Sequence, residues 1–329
     1  MRLLFIGGTE FVGRHMVDAA LARGHEVTLF NRGTNPNVPA GVERITGDRD
    51  GGLDALRSRT WDVVIDTPGY VPRVVRQSAE LLAGAVERYV FISTISVYGD
   101  LTTPGMNETA RLATLDDPTT ETVNSRTYGG LKALCEQEVR RVYGDARSLI
   151  LRPGYIVGPY DPTDRFTYWI IRAARGGEML APGSEGSPLQ FIDARDLAEF
   201  ALRLIEWRAA GTYNVTGPTR PLTWGEFLET ARRVTGGQTF FTWVPDEFLL
   251  EREVGRPGQL PLWVPGPAAG VHSVSIEKAV RDGLQTRPLG ETIADTLEWR
   301  QAVDRPLEAG IDPDREAEVL AAWHEREEH

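Results

Sequence analysis

Cysteine is almost absent from this chain of 329 residues. The one cysteine, Cys135, excludes a disulfide within the chain and a metal cluster built on cysteines. Long apolar runs are missing as well. None approaches the roughly 18 residues that a membrane-spanning helix needs, and the first apolar run is too short for a secretory signal. We therefore expect a cytoplasmic protein without a bound metal or a membrane partner.

Positive charge is the second deficit. Asp and Glu number 47 against 36 Lys and Arg, which gives a formal net charge of −11. Because nucleic-acid binding usually needs a basic face, we expect no nucleic-acid partner. Lysine is rare among the cations, since only Lys132 and Lys278 occur. Where arginine is the default cation, each lysine is a candidate for chemistry that arginine cannot perform.

The glycines of the first fifty residues are placed in a functional pattern. A short apolar strand, Arg2–Ile6, leads into a glycine turn, and an amphipathic helical pattern and a second strand, Glu26–Phe30, follow. This order within about thirty residues is typical of a βαβ unit that binds a dinucleotide. Glycines let the backbone approach a pyrophosphate, and the helix N-terminus offers free N–H groups. The turn residues expected to bind the cofactor are Gly7, Thr9, Phe11, Val12 and Gly13.

Strands and helices alternate over the next hundred residues. The predicted strands are Val42–Thr46, Trp61–Asp66, Tyr89–Thr94 and Ser148–Arg152, and the predicted helices are Val74–Ala85 and Tyr128–Tyr143. This alternation predicts an α/β fold with a Rossmann-type doubly wound parallel sheet. Ligands of such sheets bind at the carboxyl ends of the strands.

The pattern becomes irregular after Gly158, where Pro- and Gly-rich loops separate short helices. We predict a Rossmann domain of residues 1–158 plus 189–216, and a smaller mixed C-terminal substrate-binding lobe of residues 159–188 plus 217–329. The acidic tail, residues 314–329, is interpreted as a solvated helix that carries His324 and His329 at the surface.

Tyr128 and Lys132 carry the chemistry that the sequence suggests. They stand four residues apart on a predicted helix, so their side chains share one face. A nearby ammonium favours the phenolate and lowers the tyrosine pKa from about 10, which suits a general acid or base for a carbonyl/alcohol pair. Thr94 ends a predicted strand, where its hydroxyl can bond the substrate oxygen. The alternative is a chance Tyr-x-x-x-Lys on a surface helix, with Thr94 in a turn that bonds its own backbone.

These segments together resemble the extended short-chain dehydrogenases/reductases of the NAD-dependent epimerase/dehydratase type. The resemblance covers nearly the whole chain. It includes the glycine turn, Gly47-Asp48, Ser93–Gly99, Tyr128–Lys132, Leu151–Gly154, Phe191–Asp193 and Leu297–Trp299. It implies that Thr94, Tyr128 and Lys132 are the catalytic set: Tyr128 transfers the proton, Lys132 also holds the nicotinamide ribose, and Thr94 orients the substrate oxygen.

The same resemblance implies the other contacts to the cofactor. Adenine is expected near Asp48, and the nicotinamide near the backbone around Pro153 and Ile156. Thr67 and Ser93, at the ends of two strands, belong to the expected cofactor-binding set. Because homodimers are common in the resembling family, a homodimer is a further expectation.

Two departures from the family's usual pattern affect the cofactor. Glu10 occupies the middle glycine position of Gly-x-x-Gly-x-x-Gly, where a carboxylate is unfavourable unless it points to solvent. The opening turn is similar to an atypical branch that includes bacterial reductases and plastid RNA-binding proteins. Asn31 and Arg32 end the second strand, where a carboxylate would bind the ribose of NAD. A guanidinium there can pair with a 2′-phosphate, so we favour NADP, with NAD as the alternative.

Substrate signals are weaker. Ile95-Ser96 after Thr94 are not the acidic residues of dehydratases, and Leu189 replaces the arginine usual in sugar-nucleotide members. Two groups of side chains have alternative interpretations. Three arginines on one helix contact phosphate or form a solvated face, and four aromatic residues line an apolar pocket or pack in a core: Arg165, Arg172, Arg175, and Phe166, Trp169, Trp224, Trp263.

Three functions remain open. The first is an NADP-dependent oxidoreductase that acts on a carbonyl or alcohol of a small molecule. The second is a sugar-nucleotide epimerase that retains NAD, which Asn31, Arg32 and Leu189 argue against. The third is a cofactor-sensing or RNA-binding protein without turnover, which the intact catalytic set and the acidic charge oppose.

Overall fold

The structure of the protein is a computed structural model that describes residues 1–255 and 258–327. Its strands are β1 (Arg2–Ile6), β2 (Glu26–Asn31), β3 (Glu43–Thr46), β4 (Trp61–Asp66), β5 (Val86–Ile92), β6 (Ser148–Pro153), β7 (Ile156–Val157), β8 (Gly177–Pro182), β9 (Ile192–Asp193), β10 (Gly211–Val215) and β11 (Thr239–Val244). Its helices are α1 (Phe11–Ala22), α2 (Pro72–Leu82), α3 (Tyr128–Arg147), α4 (Thr167–Arg175), α5 (Ala194–Glu206), α6 (Trp224–Thr235), α7 (Asp246–Glu251), α8 (Glu277–Arg281), α9 (Leu289–Gln301) and α10 (Pro313–Glu327).

The central sheet is parallel and has the strand order β10-β6-β5-β4-β1-β2-β3. The chain builds one half outward from β1 to β3 and then returns to build the other half from β4. Ligands of open parallel sheets bind beside this reversal, at the carboxyl ends of the strands. The predicted α/β class with a Rossmann-type doubly wound parallel sheet is confirmed.

Both faces of this sheet are apolar because helices cover both. Successive side chains of a strand point to opposite faces. In β1, Leu4 belongs to the same buried cluster as Val139 of α3. Phe5 points the other way: it and Val17 of α1 both lie 3.2 Å from the position that a Cβ would take on Gly8. Near-continuous apolar strands follow from this burial on two sides.

The chain divides into two compact units. The first consists of Met1–Gly154, Ala194–Thr216 and Val274–Gln285, and the second of Tyr155–Asp193, Gly217–Ser273 and Thr286–His329. The first unit contains the central sheet. The sequence-based division had placed residues 274–285 in the smaller lobe, whereas Lys278 Nζ donates to Thr212 O of β10 at 2.6 Å. The roles of the units in cofactor and substrate binding stay predictions.

The second unit is built on a core of aromatic side chains. It contains the parallel pairs β8–β11 and β7–β9. Phe166, Trp169 and Trp224 are buried in one apolar cluster, and Trp263 packs against it. The indole of Trp169 donates to Pro261 O at 2.7 Å, which satisfies its only polar group. Of the two interpretations of these residues, core packing is what the structure shows.

The arginines of α4 are held by internal partners. Arg172 is buried, and its Nε lies 2.7 Å from Glu316 Oε2. Arg175 bonds the same carboxylate at 2.9 Å, while the guanidinium of Arg165 lies 5.2 Å from the ring centre of Tyr155. The interpretation of a solvated arginine face is wrong for Arg172, because one buried carboxylate on another helix binds it.

The acidic tail is more than a solvated helix. α10 buries Glu316, Val319 and Leu320 in the second unit, and His324 Nε2 lies 2.7 Å from Glu178 Oε1. The predicted position of His329 lies outside the described residues. Over residues 1–255 and 258–327, no helix is long and apolar enough to cross a bilayer.

Candidate active site

The glycine turn brings the start of α1 against the end of β1. Gly7 and Gly8 have φ values of +95° and +85°, which only glycine adopts without strain. A Cβ on Gly13 would lie 2.8 Å from the Cα of Gly8. The third glycine therefore permits the close approach of the helix to the turn. This is the backbone arrangement that admits a pyrophosphate at a helix N-terminus.

A cavity of about 370 Å³ opens at this turn. Its wall includes the ends of β1 and β2, the segment after β3 and the loop after β4. Six of the predicted cofactor residues line it: Gly7, Thr9, Asn31, Arg32, Asp48 and Thr67. Phe11, Val12 and Gly13 lie in the first turn of α1 instead. The cavity thus brings these predicted residues to one place beside the glycine turn, and a dinucleotide bound there stays a prediction.

The backbone conformation at position 10 does not require the glycine that is usual there. Its φ of −124° and ψ of 145° are extended values that any residue adopts. The unusual conformation falls on Phe11, with a φ of +30°. Glu10 is exposed and lines the cavity, so its carboxylate stays hydrated. Exposure to solvent is the condition under which we expected a carboxylate to be tolerated near a pyrophosphate.

The end of β2 is polar and carries no carboxylate. Asn31 Nδ2 donates to Gly7 O at 3.4 Å, and its Oδ1 accepts from Gly33 N at 3.0 Å. Arg32 is exposed, lines the cavity and makes no ion pair within the part of the chain that the structure describes. Arg44 of β3 reaches the same place, with its Nη2 3.4 Å from Asn31 Oδ1. Sequence reasoning missed Arg44, because the pairing of β2 with β3 cannot be read from local pattern.

A buried ion pair lies beside the cavity. Arg49, which lines the wall, donates to both carboxylate oxygens of Asp66 at 2.6 and 2.8 Å. Tyr89 adds a third bond to Asp66 at 2.7 Å. Asp48, one residue earlier, is exposed and accepts from Asp50 N at 2.9 Å. The pair fixes the segment after β3 to the end of β4, and neither Arg49 nor Asp66 had been singled out from the sequence.

A glycine lets the start of α3 pack against the turn that follows Thr94. A Cβ on Gly129 would lie 2.1 Å from Ser96 O, so the start of α3 touches the backbone just after Thr94. Thr94 Oγ1 accepts from Ser96 N at 3.1 Å. The hydroxyl thus bonds its own turn, as the alternative interpretation expected. Its action on a substrate stays a prediction.

Lys132 is buried, and its ammonium is bound by backbone. Nζ donates to Gly69 O at 2.8 Å and to Ile92 O at 2.6 Å. It also lies 4.2 Å from the ring centre of Phe91 and 5.4 Å from that of Tyr70. Burial lowers the pKa of Lys132 to about 8. The structure therefore supplies a desolvated cation one helical turn from Tyr128, where the sequence placed it.

A buried polar network lies behind this set. Ser93 Oγ donates to Glu136 Oε1 at 2.6 Å, and Arg152 Nη2 lies 2.6 Å from Glu136 Oε2. Arg152 also donates to Tyr98 Oη at 3.2 Å. The hydroxyl of Ser93, predicted to touch the cofactor, is thus engaged inside the protein. Sequence reasoning missed Glu136, although its position four residues after Lys132 on one helix was a usable signal.

The last two predicted cofactor residues fall in different units. Pro153 ends β6 in the first unit, and Ile156 begins β7 in the second. Beside Pro153, a Cβ on Gly154 would lie 2.5 Å from Thr216 Oγ1. The backbone there is close-packed, and the predicted nicotinamide contacts remain predictions.

Comparison with known proteins agrees with this architecture. The profile of the NAD dependent epimerase/dehydratase family matches residues 3–216. The chain belongs to this family.

The chain is also similar to individual proteins of known sequence or structure. The chain is 27% identical over 263 residues to the 2′-dehydrokanamycin reductase of Streptomyces kanamyceticus, covering 77% of this chain and 72% of that protein. It is 27% identical over 239 residues to a chloroplast stem-loop binding protein of Arabidopsis thaliana, covering 66% and 58%. A solved UDP-N-acetylglucosamine 4-epimerase from Bacillus cereus superposes with a TM-score of 0.67 at 17% identity, over 91% of this chain and 99% of that one. The last comparison concerns the fold alone.

Proposed function

We propose that the protein is an NADP-dependent oxidoreductase that interconverts a carbonyl and an alcohol on a small molecule. One observation carries the proposal: a single compact unit contains both the glycine-lined cavity and the Tyr128–Lys132 pair. The similarity to a bacterial reductase supports reduction as the reaction. Cytoplasmic location and a homodimer stay predictions.

The residues of the cavity suit a phosphorylated dinucleotide. An added Cβ on Gly7, Gly8 or Gly13 would lie 2.5 to 2.8 Å from the nearest atom, so only glycine lets the turn and the start of α1 pack this closely beside the cavity. At the end of β2, Asn31 is neutral where NAD-binding relatives of this fold place an acid on the ribose. Arg32 beside it is charged and has no ion pair among the described residues. A neutral amide with an adjacent guanidinium favours a 2′-phosphate over a free hydroxyl.

The catalytic set suits proton transfer to a carbonyl oxygen. The nicotinamide of the bound cofactor supplies or accepts the hydride. Tyr128 gives its phenolic proton to the substrate oxygen during reduction and takes it back during oxidation. Lys132 keeps a positive charge near Tyr128, which favours the phenolate. Thr94 offers a hydroxyl at the end of β5 that hydrogen-bonds the same oxygen.

Turnover of NADPH with a panel of aldehydes and ketones tests this function. The wild-type protein should oxidise NADPH with at least one member of the panel, and faster than it oxidises NADH. Tyr128→Phe removes the proton donor and should lower kcat by about 10²- to 10⁴-fold. A fluorescence titration should show that this variant binds NADPH as tightly as the wild type. Tyr143→Phe is a matched control, because Tyr143 lies on the same helix and its hydroxyl donates to Ala79 O.

The other outcomes separate the remaining functions. Preference for NADH, with NAD retained through purification, would support the epimerase instead. Binding of neither nucleotide, together with salt-sensitive RNA binding, would support a protein without turnover. Full activity of Tyr128→Phe would contradict the assigned proton transfer.

A further inference from the structure

Arg44 is a second cation at the end of β2. It lies on β3, in the strand that pairs with β2. Its Nη2 is 3.4 Å from both Asn31 Oδ1 and Asn35 O, and 3.3 Å from the position that a Cβ would take on Gly33. These contacts place its guanidinium over the turn that contains Arg32. Arg44 of β3 and Arg32, the residue after β2, therefore lie on the same side of the cavity.

The charge of Arg44 is not neutralised by the nearest acid in the sequence. Glu43 forms an ion pair with Arg59 and accepts from Thr28 Oγ1 at 3.1 Å. Within residues 1–255 and 258–327, Arg44 makes no ion pair. Its two hydrogen bonds are to neutral oxygens and are long, so they are weak and readily exchanged for an ionic acceptor. An exposed arginine next to the cavity is thus available to a ligand.

Asn31 is the residue that keeps Arg44 available. Its Oδ1 accepts a hydrogen bond from Arg44 Nη2 at 3.4 Å. A carboxylate at this position would pair with Arg44 and repel an incoming phosphate. The amide does neither. A neutral Asn31, followed by Arg32 and bonded by the guanidinium of Arg44, is an arrangement that fits a dianionic phosphate monoester.

We infer that Arg44 and Arg32 together bind the 2′-phosphate of NADP, Arg44 from β3 and Arg32 from the turn after β2. This inference rests on the proposed function, and it names a specificity residue outside the βαβ unit that the sequence pattern identifies. Two guanidiniums present enough N–H donors for all three oxygens of the phosphate. The ribose itself is left to Asn31.

Adenosine 2′,5′-bisphosphate and 5′-AMP are suitable probes, because they differ only in the 2′-phosphate. Calorimetric titration should show that the wild-type protein prefers the bisphosphate. Arg44→Ala and Arg32→Ala should each weaken bisphosphate binding about tenfold or more, with 5′-AMP binding unchanged. Asn31→Asp keeps the side-chain shape and should abolish the preference. Arg57→Ala, which removes an exposed arginine paired with Asp54, should change neither affinity.

The pattern of failure identifies which statement is wrong. If the wild type prefers the bisphosphate, and only Arg32→Ala removes that preference, the role of Arg44 is overturned while NADP specificity stands. If Arg44→Ala weakens both probes equally, Arg44 is structural and the inference is overturned. If the wild type binds both probes equally, NADP specificity itself fails, and the inference fails with it. Unchanged melting temperatures show that the variants are folded.

Discussion

The two ends of the candidate site differ in whether their charged side chains are exposed or buried in ion pairs. At the end of β2, Arg32 and Arg44 are exposed and make no ion pair among the described residues. Behind the ends of β5 and β6, Glu136 of α3 and Arg152 of β6 are fully buried and form an ion pair, and Glu136 also accepts from Ser93 Oγ. One end has charge that a ligand can neutralise. The other has charge that the fold has already neutralised.

This contrast predicts that one end of the site mainly determines ligand affinity and that the other mainly determines the stability of the fold. Exposed, loosely bonded cations contribute little to stability, since solvent screens them. A buried pair is different, because removal of one partner leaves the other charged and desolvated. We therefore expect substitutions at the end of β2 to change ligand affinity. Substitutions behind β5 should change the folded state that positions Thr94, Tyr128 and Lys132.

Glu136→Ala gives the largest expected effect. It leaves Arg152 buried without its carboxylate and Ser93 without its acceptor. The free energy of unfolding, measured by urea denaturation, should fall by about 3 to 5 kcal/mol. Glu80→Ala is the control, since Glu80 pairs with Arg141 at the surface and should cost less than about 1 kcal/mol.

The same measurement on Arg44→Ala completes the comparison. This variant should stay within about 0.5 kcal/mol of the wild type. If Glu136→Ala and Arg44→Ala lose similar amounts, the two ends do not differ in the way that their burial indicates.

Local pattern was sufficient to predict the sheet and the helix that carries Tyr128 and Lys132. The glycine turn, the alternating strands and the Tyr128–Lys132 spacing are all set by residues close in sequence. The structure has β1 and β2 within one residue of the predicted bounds, with helix α1 between them.

Pairing between distant segments was not predictable in the same way. Arg44 reaches Asn31 because β3 pairs with β2. Arg49, just after β3, reaches Asp66 at the end of β4, although β1 and β2 lie between those strands in the sheet. The tail helix was interpreted as solvated because its composition is acidic. Its Glu316 is nevertheless buried against Arg172 of α4. Local composition identifies a charged residue but does not identify the opposite charge that a fold places beside it.

Lys132 provides a further test of the effect of burial, through the pH dependence of the unfolding free energy. Burial lowers its pKa from 10.5 to about 8. Below pH 8 the ammonium is charged and buried in the folded protein, so the cost of desolvation is fully present. Between about pH 8 and 10.5 the folded state has released a proton that the unfolded chain still binds, so this contribution to stability rises with pH.

The comparison with Lys132→Met isolates this effect. From pH 7.5 to 10, the wild type should gain about 2 kcal/mol of unfolding free energy relative to the variant. Both proteins should carry Cys135→Ala, because burial raises the pKa of that thiol from 9.0 to about 12, so only the unfolded chain loses its thiol proton within the window. Lys278→Met, at a partly buried lysine whose pKa is also lowered by burial, should show a smaller change of the same sign. A constant difference across the pH range would mean that Lys132 is not desolvated.

Gly129→Ala should cost less stability than Glu136→Ala, and it has a specific effect on geometry. The added Cβ would lie 2.1 Å from Ser96 O, so the start of α3 must move away from the end of β5. We expect a loss of about 1 to 2 kcal/mol and a lower kcat, because Tyr128 moves relative to Thr94. Binding of adenosine 2′,5′-bisphosphate should not change, since the end of β2 is untouched. Gly84→Ala is the control, because nothing lies within 4 Å of its added Cβ. If Gly129→Ala weakens binding of the bisphosphate as much as it slows turnover, the two ends of the site are mechanically coupled. Ligand affinity and fold stability would then not be determined by separate ends of the site.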